Sequence, residues 1–356
     1  MLSQTFSSNS AVMKGVSLDT VRTSNATLKT LGPGLVAVFV GGTSGIGESI
    51  LKAFVGAVAA PKIYIIGRSQ NAANHIIKEC REANETSEVE FLQADVSEIA
   101  NVDRVCSDII QREKRLNLLV LTTGILTVDG RNESPEGLDR KMAVHYYSRM
   151  RFISNLLPLL TSSASSSQLS RVMTVLGAGI GNRMVESDLD LKSNFSLSNC
   201  GAHCGVMTDL MLERFAATWK GTAFVHTAPG VVKTNLGSGL PTYLRAAFKV
   251  AGPLLSPWTV GLHETGERHL FMATSNRYPP SELPNDSGCG APTEKNGVAE
   301  GSDGVRGSGA YLLNWDGQIQ KQNRDLLEEY RRTGMAERIW KHTMAVFDSC
   351  SKDRDS

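Results

Sequence analysis

The chain has 356 residues, a hydrophobic content of 41% and a formal net charge of +1. That supplies enough apolar material for a large core, and the near-neutral balance gives no electrostatic basis for binding nucleic acid. Six cysteines (Cys80, Cys106, Cys200, Cys204, Cys289 and Cys350) form no CxxC pair and no dense framework, so reduced thiols, a cytoplasmic location and no metal are expected.

Residues 1–30 are rich in Ser and Thr, carry no apolar signal core, and read as a flexible arm ahead of one domain spanning 31–350. No stretch reaches the roughly 18 apolar residues that a membrane helix needs. From residue 35 the pattern alternates. Strands are predicted over 35–40, 62–66, 89–94, 117–122, 171–176 and 222–227, and helices over 46–57, 70–83, 98–114, 136–160 and 196–219. This βαβ alternation implies an α/β fold: a doubly wound, Rossmann-like parallel sheet with ligands at the C-terminal ends of its strands. Cys200 and Cys204 lie four apart on the last of these helices, and with no second ligand pair at fitting spacing they read as small buried residues. Beyond 230 the regularity fades. Residues 240–258, with Leu240, Tyr243, Leu244, Phe248 and Trp258 around Gly252-Pro253, read either as a lid over a substrate or as a packed surface helix pair. Residues 278–308 read as a mobile loop. A strand at 310–313 and a helix near 318–348 form a C-terminal extension.

The first predicted strand runs into Gly41-Gly42-Thr43-Ser44-Gly45-Ile46-Gly47, and a helix follows. Strand, glycine turn and helix together hold a dinucleotide pyrophosphate: the glycines let the backbone approach, and the helix N-terminus offers free N–H groups. Thr43, Ser44 and Ile46 are therefore candidate cofactor contacts along with the glycines. The second strand ends in Gly67-Arg68-Ser69. A cation and a hydroxyl at that position suit a 2′-phosphate, where an acidic residue would suit a free 2′-hydroxyl, so NADP(H) is expected over NAD. Asp95-Val96 and Thr123-Gly124 end the third and fourth strands and face the same crevice.

With these elements, and with Pro229-Gly230-Val231-Val232-Lys233-Thr234, residues 35–240 resemble the short-chain dehydrogenase/reductase family. The resemblance implies Asp95 and Val96 near adenine, and Pro229, Gly230, Val232 and Thr234 near the nicotinamide half. It also implies that helices 136–160 and 196–219 are where two copies pair, so a homodimer is expected. A closer similarity is to the fungal oxidoreductases of secondary-metabolite gene clusters. It is carried by Val38 to Glu48, Gly67-Arg68-Ser69-Gln70, Tyr146-Tyr147-Ser148-Arg149, Gly266-Glu267-Arg268-His269-Leu270-Phe271 and Ser308-Gly309-Ala310-Tyr311.

The family chemistry implies a tyrosine that moves a proton, a lysine beside it, a serine at the substrate oxygen and an asparagine on the preceding helix. Following the pattern along the chain, Gly177 stands at the serine position, Phe195 at the tyrosine, Asn199 at the lysine and His145 at the asparagine. No Tyr-x-x-x-Lys occurs between 175 and 215. His145 is the best replacement proton carrier by residue type. His203 lies two turns beyond Phe195 and reads as structural. Tyr146, Tyr147 and Tyr243 offer phenols, the last from the lid. Asn199 keeps hydrogen-bonding capacity for the nicotinamide ribose. Three functions follow in order of expectation. The first is an NADPH-dependent reductase of a carbonyl or conjugated alkene on a polyketide or terpenoid-like intermediate. The others are a redox-neutral cyclase, isomerase or dehydratase, and a non-catalytic cofactor-binding accessory protein.

Overall fold

The computed structural model describes residues 15–166, 168–232, 234, 237, 239–243, 259–282 and 297–352. Seven strands build the central sheet: β1 (Val36–Val40), β2 (Lys62–Gly67), β3 (Glu88–Gln93), β4 (Leu118–Leu121), β5 (Arg171–Val175) and β6 (Ala223–Ala228), and later β9 (Ala310–Asn314). Between the last two come β7 (Val231–Val232) and β8 (Thr259–Val260), which pair with each other. The order across the main sheet is β3-β2-β1-β4-β5-β6-β9, and every neighbouring pair is parallel. Parallel strands are covered on both faces, which is why β1 reads as an unbroken apolar run. Val36, Val38 and Val40 enter one core, and Ala37 and Phe39 enter the other. The strand order reverses between β1 and β4, and that switch point opens a crevice at their carboxyl ends.

Helices fill both layers. α1 (Leu18–Ala26) precedes the sheet; α2 (Gly45–Ala57), α3 (Gln70–Ala83) and α4 (Ile99–Arg112) link its first strands. α5 (Arg140–Met142) runs through a π-helical turn, Ala143–Tyr147, into α6 (Ser148–Ser165), and α7 (Leu197–Thr218) follows β5. α8 (Leu262–Thr274), α9 (Arg324–Arg332) and α10 (Met335–Lys352) complete the set. In α4, Ile99, Val102, Val105, Cys106 and Ile109 are buried, the one-sided stripe of an amphipathic helix. The last predicted helix is divided in two at Gly334, whose φ of 70° only glycine adopts freely.

The N-terminal arm and the flanks of the expected loop depart from the sequence reading. The N-terminal arm is corrected from residue 18 onward. α1 and a 3₁₀ turn, Thr27–Leu31, bury Val21 and Leu28, and Arg22 grips Glu267 on α8 through two bonds of 2.9 and 3.1 Å. Of the expected lid, residues 244–258 lie outside the described residues, as do 283–296 of the expected loop. The loop's two flanks are fastened: Tyr278 is fully buried and donates to Gly317 O at 2.8 Å, and Ala299 N donates to Arg277 O at 2.8 Å. Behind the glycine turn, α8 lies directly on α2, with Gly266 against Ser49 where any Cβ would collide. Ser49 Oγ donates to Leu262 O.

Candidate functional site: the crevice at the ends of β1, β4 and β5

The turn after β1 depends on its glycines. Gly41 has φ 91° and Gly45 φ 61°. A Cβ at Gly41 would stand 2.8 Å from Thr122 Oγ1, and one at Gly47 would come well under 3.0 Å from both the Gly41 carbonyl and Thr122 Oγ1. Thr122 locks this packing by donating toward Val40 O and Gly41 O, at 3.1 and 3.3 Å. Ser44 is extended at the N-cap of α2, and its side chain makes no capping bond. The first N–H groups of that helix are therefore open to an anion. Thr234 returns from beyond β6 to this turn, 3.2 Å from where a Gly45 Cβ would be.

The neighbouring strand ends complete the cradle. At the end of β2, Gly67 lies against Thr43, and the exposed Arg68 side chain has no ion pair among the described residues. Ser69 caps α3, accepting from Ala72 N at 3.3 Å. Asp95 Oδ1 accepts from Ser97 N at 3.0 Å, while Val96 is buried beside it. Thr123, which precedes Gly124, and Thr127 each bury a hydroxyl with no partner among the described residues, so the crevice wall keeps hydrogen-bonding capacity in reserve. Ile46 is half-buried in the first turn of α2. Gly230, at φ 70°, packs on Trp315, with Pro229 before it and Val232 in β7 just after. A glycine turn too tight for side chains, an open helix N-terminus and spare hydroxyls fit a bound dinucleotide.

The helix beneath the crevice contributes three basic side chains, each four residues from the next. Lys141, His145 and Arg149 come from α5, the π turn and α6. His145 Nε2 accepts from Ile125 N at 3.0 Å, so its proton sits on Nδ1. Burial, followed by the charges of Arg149 and Lys141, pushes its pKa down to about 3. The ring is neutral, and the expected proton carrier is instead a brace for the strand end. Arg149 is fully buried with no carboxylate beside it. It donates to Leu121 O at 3.2 Å, Val175 O at 3.1 Å and Thr123 O at 2.6 Å, and to Thr174 Oγ1. Together His145 and Arg149 clamp residues 121–125 from one helix face, and Arg149 also ties the end of β5. Lys141, 5% exposed, donates to Gly130 O at 3.0 Å, stands 3.8 Å from Asp139 Oδ2, and lies 5.2 Å from the centre of the Phe195 ring.

The remaining candidates separate. Gly177 is open: a Cβ there would touch nothing within 4 Å. Asn199 donates its amide to Asn194 O at 2.8 Å, bracing the turn into α7, and Ser196 caps that helix by accepting from Asn199 N at 3.0 Å. His203 is buried, accepts from Val185 N at 2.9 Å and donates to Leu189 O at 3.2 Å, as a structural residue should. Tyr146 bonds Thr343 at 2.7 Å and Tyr147 bonds His342 at 2.8 Å, so both phenols point to α10 and away from the crevice. Tyr243 is 69% exposed. Cys200 and Cys204 are buried free thiols, and no cluster able to hold a metal occurs among the described residues.

A family model described as short chain dehydrogenase matches residues 35–185, the stretch that builds the crevice. Oxidoreductase AN1596 of Emericella nidulans is 42% identical over 337 residues, covering 94% of this chain and 98% of its own. The chain belongs to the short-chain dehydrogenase/reductase family. Within it, oxidoreductase andH of Emericella variicolor is 37% identical, over 94% of this chain and 97% of its own length. Short-chain dehydrogenase/reductase SAT2 of Stachybotrys chartarum is 29% identical, over 94% and 98%. Among solved structures, an alcohol dehydrogenase of the archaeon Thermococcus sibiricus, complexed with 5-hydroxy-NADP, is similar at TM-score 0.51 and 17% identity. That match covers 67% of this chain and 90% of the other, and it speaks to fold alone. Membership makes this an enzyme-type scaffold whose crevice takes a nicotinamide dinucleotide.

Sequence reasoning did not assign Lys141 or Arg149 to the site. Arg149 belonged to a phrase that carried the family resemblance, yet nothing in its neighbours marked it as buried. The one available signal was spacing: Lys141, His145 and Arg149 fall at i, i+4 and i+8.

Proposed function

We propose that this protein is an NADPH-dependent oxidoreductase that reduces a carbonyl or conjugated alkene of a polyketide or terpenoid-like intermediate in fungal secondary metabolism. The observation that supports this reading is the glycine turn with the exposed Arg68, which has no ion pair among the described residues, at the end of the next strand: a cradle suited to a pyrophosphate and a cation suited to a 2′-phosphate. Gly41, Thr43, Ser44, Gly45 and Gly47 hold the phosphates, Arg68 and Ser69 the adenosine ribose, and Asp95 and Val96 the adenine. Thr123, Gly124, Pro229, Gly230, Val232, Thr234 and Asn199 border the nicotinamide half. When bound, the nicotinamide supplies the hydride. The chain supplies position: Arg149 and His145 fix the ends of β4 and β5, on which the reacting groups lie. The proton comes from water, because His145 is neutral and Tyr146 and Tyr147 are engaged by α10. A conjugated alkene needs less acid assistance at oxygen than a plain ketone, and it is the better-matched substrate.

A redox-neutral reading on the same scaffold is favoured by Phe195 and Gly177, which bring no ionisable group to the positions that would otherwise move protons. One experiment separates the two: purified protein, NADPH and neutral enones and ketones of terpenoid or polyketide type, with reduced cofactor and product both quantified. The oxidoreductase reading requires one NADPH consumed per product. Product formed with no loss of NADPH would replace it with the redox-neutral one.

A further inference from the structure

We propose that Lys141 is the fixed cation of the reaction site, a positioning residue that acts through the side chain at 195. This rests on the reading of the crevice given above. Asn199 brings no charge to the helix turn that follows residue 195, so α7 supplies no cation there. The adjacent helix does. Lys141 reaches from α5, its ammonium 5.2 Å from the centre of the Phe195 ring. It is 5% exposed, its neighbouring carboxylate Asp139 is 3.8 Å away, and it donates to Gly130 O at 3.0 Å. Asp139 is held beside the ammonium by accepting from Lys141 N, Met142 N and Asn132 N. The ammonium itself stands over the ring face, within the reach at which a cation is attracted. Arg149, two helical turns along, is a second buried cation, with no ion pair among the described residues. The result is a site that offers positive potential without a protein proton, suited to substrates on which negative charge builds up.

A phenol installed by Phe195→Tyr is a built-in reporter of that potential, because a nearby cation favours phenolate over phenol. Its resonance is followed by carbon NMR of labelled tyrosine in the full chain. It should titrate at least about one pH unit below the ordinary tyrosine value of about 10. It should stay low with Lys141→Arg and return toward the ordinary value with Lys141→Met. Six native phenols (Tyr64, Tyr146, Tyr147, Tyr278, Tyr311 and Tyr330) are held above their ordinary range, so a low titration stands apart. Should the tyrosine variant fold poorly, Phe195→His reports the same field by titrating below about 6.5. A reporter at or above its ordinary value overturns the role of Lys141. Adding NADPH tests the underlying reading separately. A lowered phenol that ignores saturating NADPH keeps the cation and overturns the placement of the nicotinamide; a phenol that responds to NADPH and titrates normally does the reverse.

Discussion

Gly47→Ala probes the cradle through a single methyl group. The new Cβ would meet the Gly41 carbonyl and Thr122 Oγ1, both well inside 3.0 Å. Neither is a flexible tip. The carbonyl belongs to a backbone whose Gly41 N–H donates to Ile66 O at 2.9 Å, and Thr122 is held by its own bonds to Val40 O and Gly41 O. Relief requires the first turn of α2 to move away from β4, at an overpacking cost of about 1–3 kcal/mol. Losing the threonine bond adds about 1 kcal/mol. The sum, about 2–4 kcal/mol, lowers the unfolding midpoint of a 356-residue chain by roughly 3–5 °C, and NADPH affinity falls with the displaced N–H groups. Gly56→Ala is the matched control on the same helix: a Cβ there touches nothing within 4 Å, so it should be neutral or stabilise by about 0.5 kcal/mol. Calorimetry with and without NADPH measures both. If Gly47→Ala melts and binds like the parent, the turn is not the packed cradle described.

Four other changes test neighbouring claims. Arg68→Ala should weaken NADPH binding about tenfold to a hundredfold, the worth of a charged hydrogen bond to phosphate, and leave NADH binding unchanged; equal losses for both would end the NADP assignment. Arg149→Met removes the donor from two buried carbonyls and one part-buried one, so a loss of at least about 2 kcal/mol is expected in urea unfolding, and a loss under about 1 kcal/mol would refute the clamp. His145 has its folded pKa depressed to about 3. Its contribution is therefore complete above the unfolded value near 6.5 and is lost as pH falls through that window, by up to about 1.4 kcal/mol per unit. His145→Gln can still accept from Ile125 N and should flatten that acid slope; an unchanged slope argues against a neutral, buried ring. Gly177→Ser enters open space and should leave the unfolding midpoint unmoved.

Regular elements were legible where caps and periodicity agree. The helices predicted over 70–83 and 196–219 form within a residue of those bounds, and in the fold the hydroxyls of Ser69 and Ser196 cap them. The cradle was legible because its glycines leave a fixed spacing. The floor of the site was not. A lysine or arginine on a helix is ordinarily solvated, and only tertiary packing reveals that Lys141 and Arg149 point inward. The π turn adds a residue to the helix and shifts which faces align, which no 3.6-residue period anticipates. His145 was legible by position, but its bond to Ile125 N was not, since that backbone group lies 20 residues away in sequence.

The end of the chain bears on assembly. α10 lies along the outer side of α4, α6 and α7, where Thr343 and His342 take the two phenols and Phe347 receives Arg151 at 4.9 Å. Trp340 receives Arg214, also at 4.9 Å, and Arg214 bonds Glu337. Of these helices, α6 and α7 are the ones expected to meet a second copy. A pairing through the part of them that α10 covers would need that helix to move and would uncover Tyr146 and Tyr147, whose hydroxyls it holds.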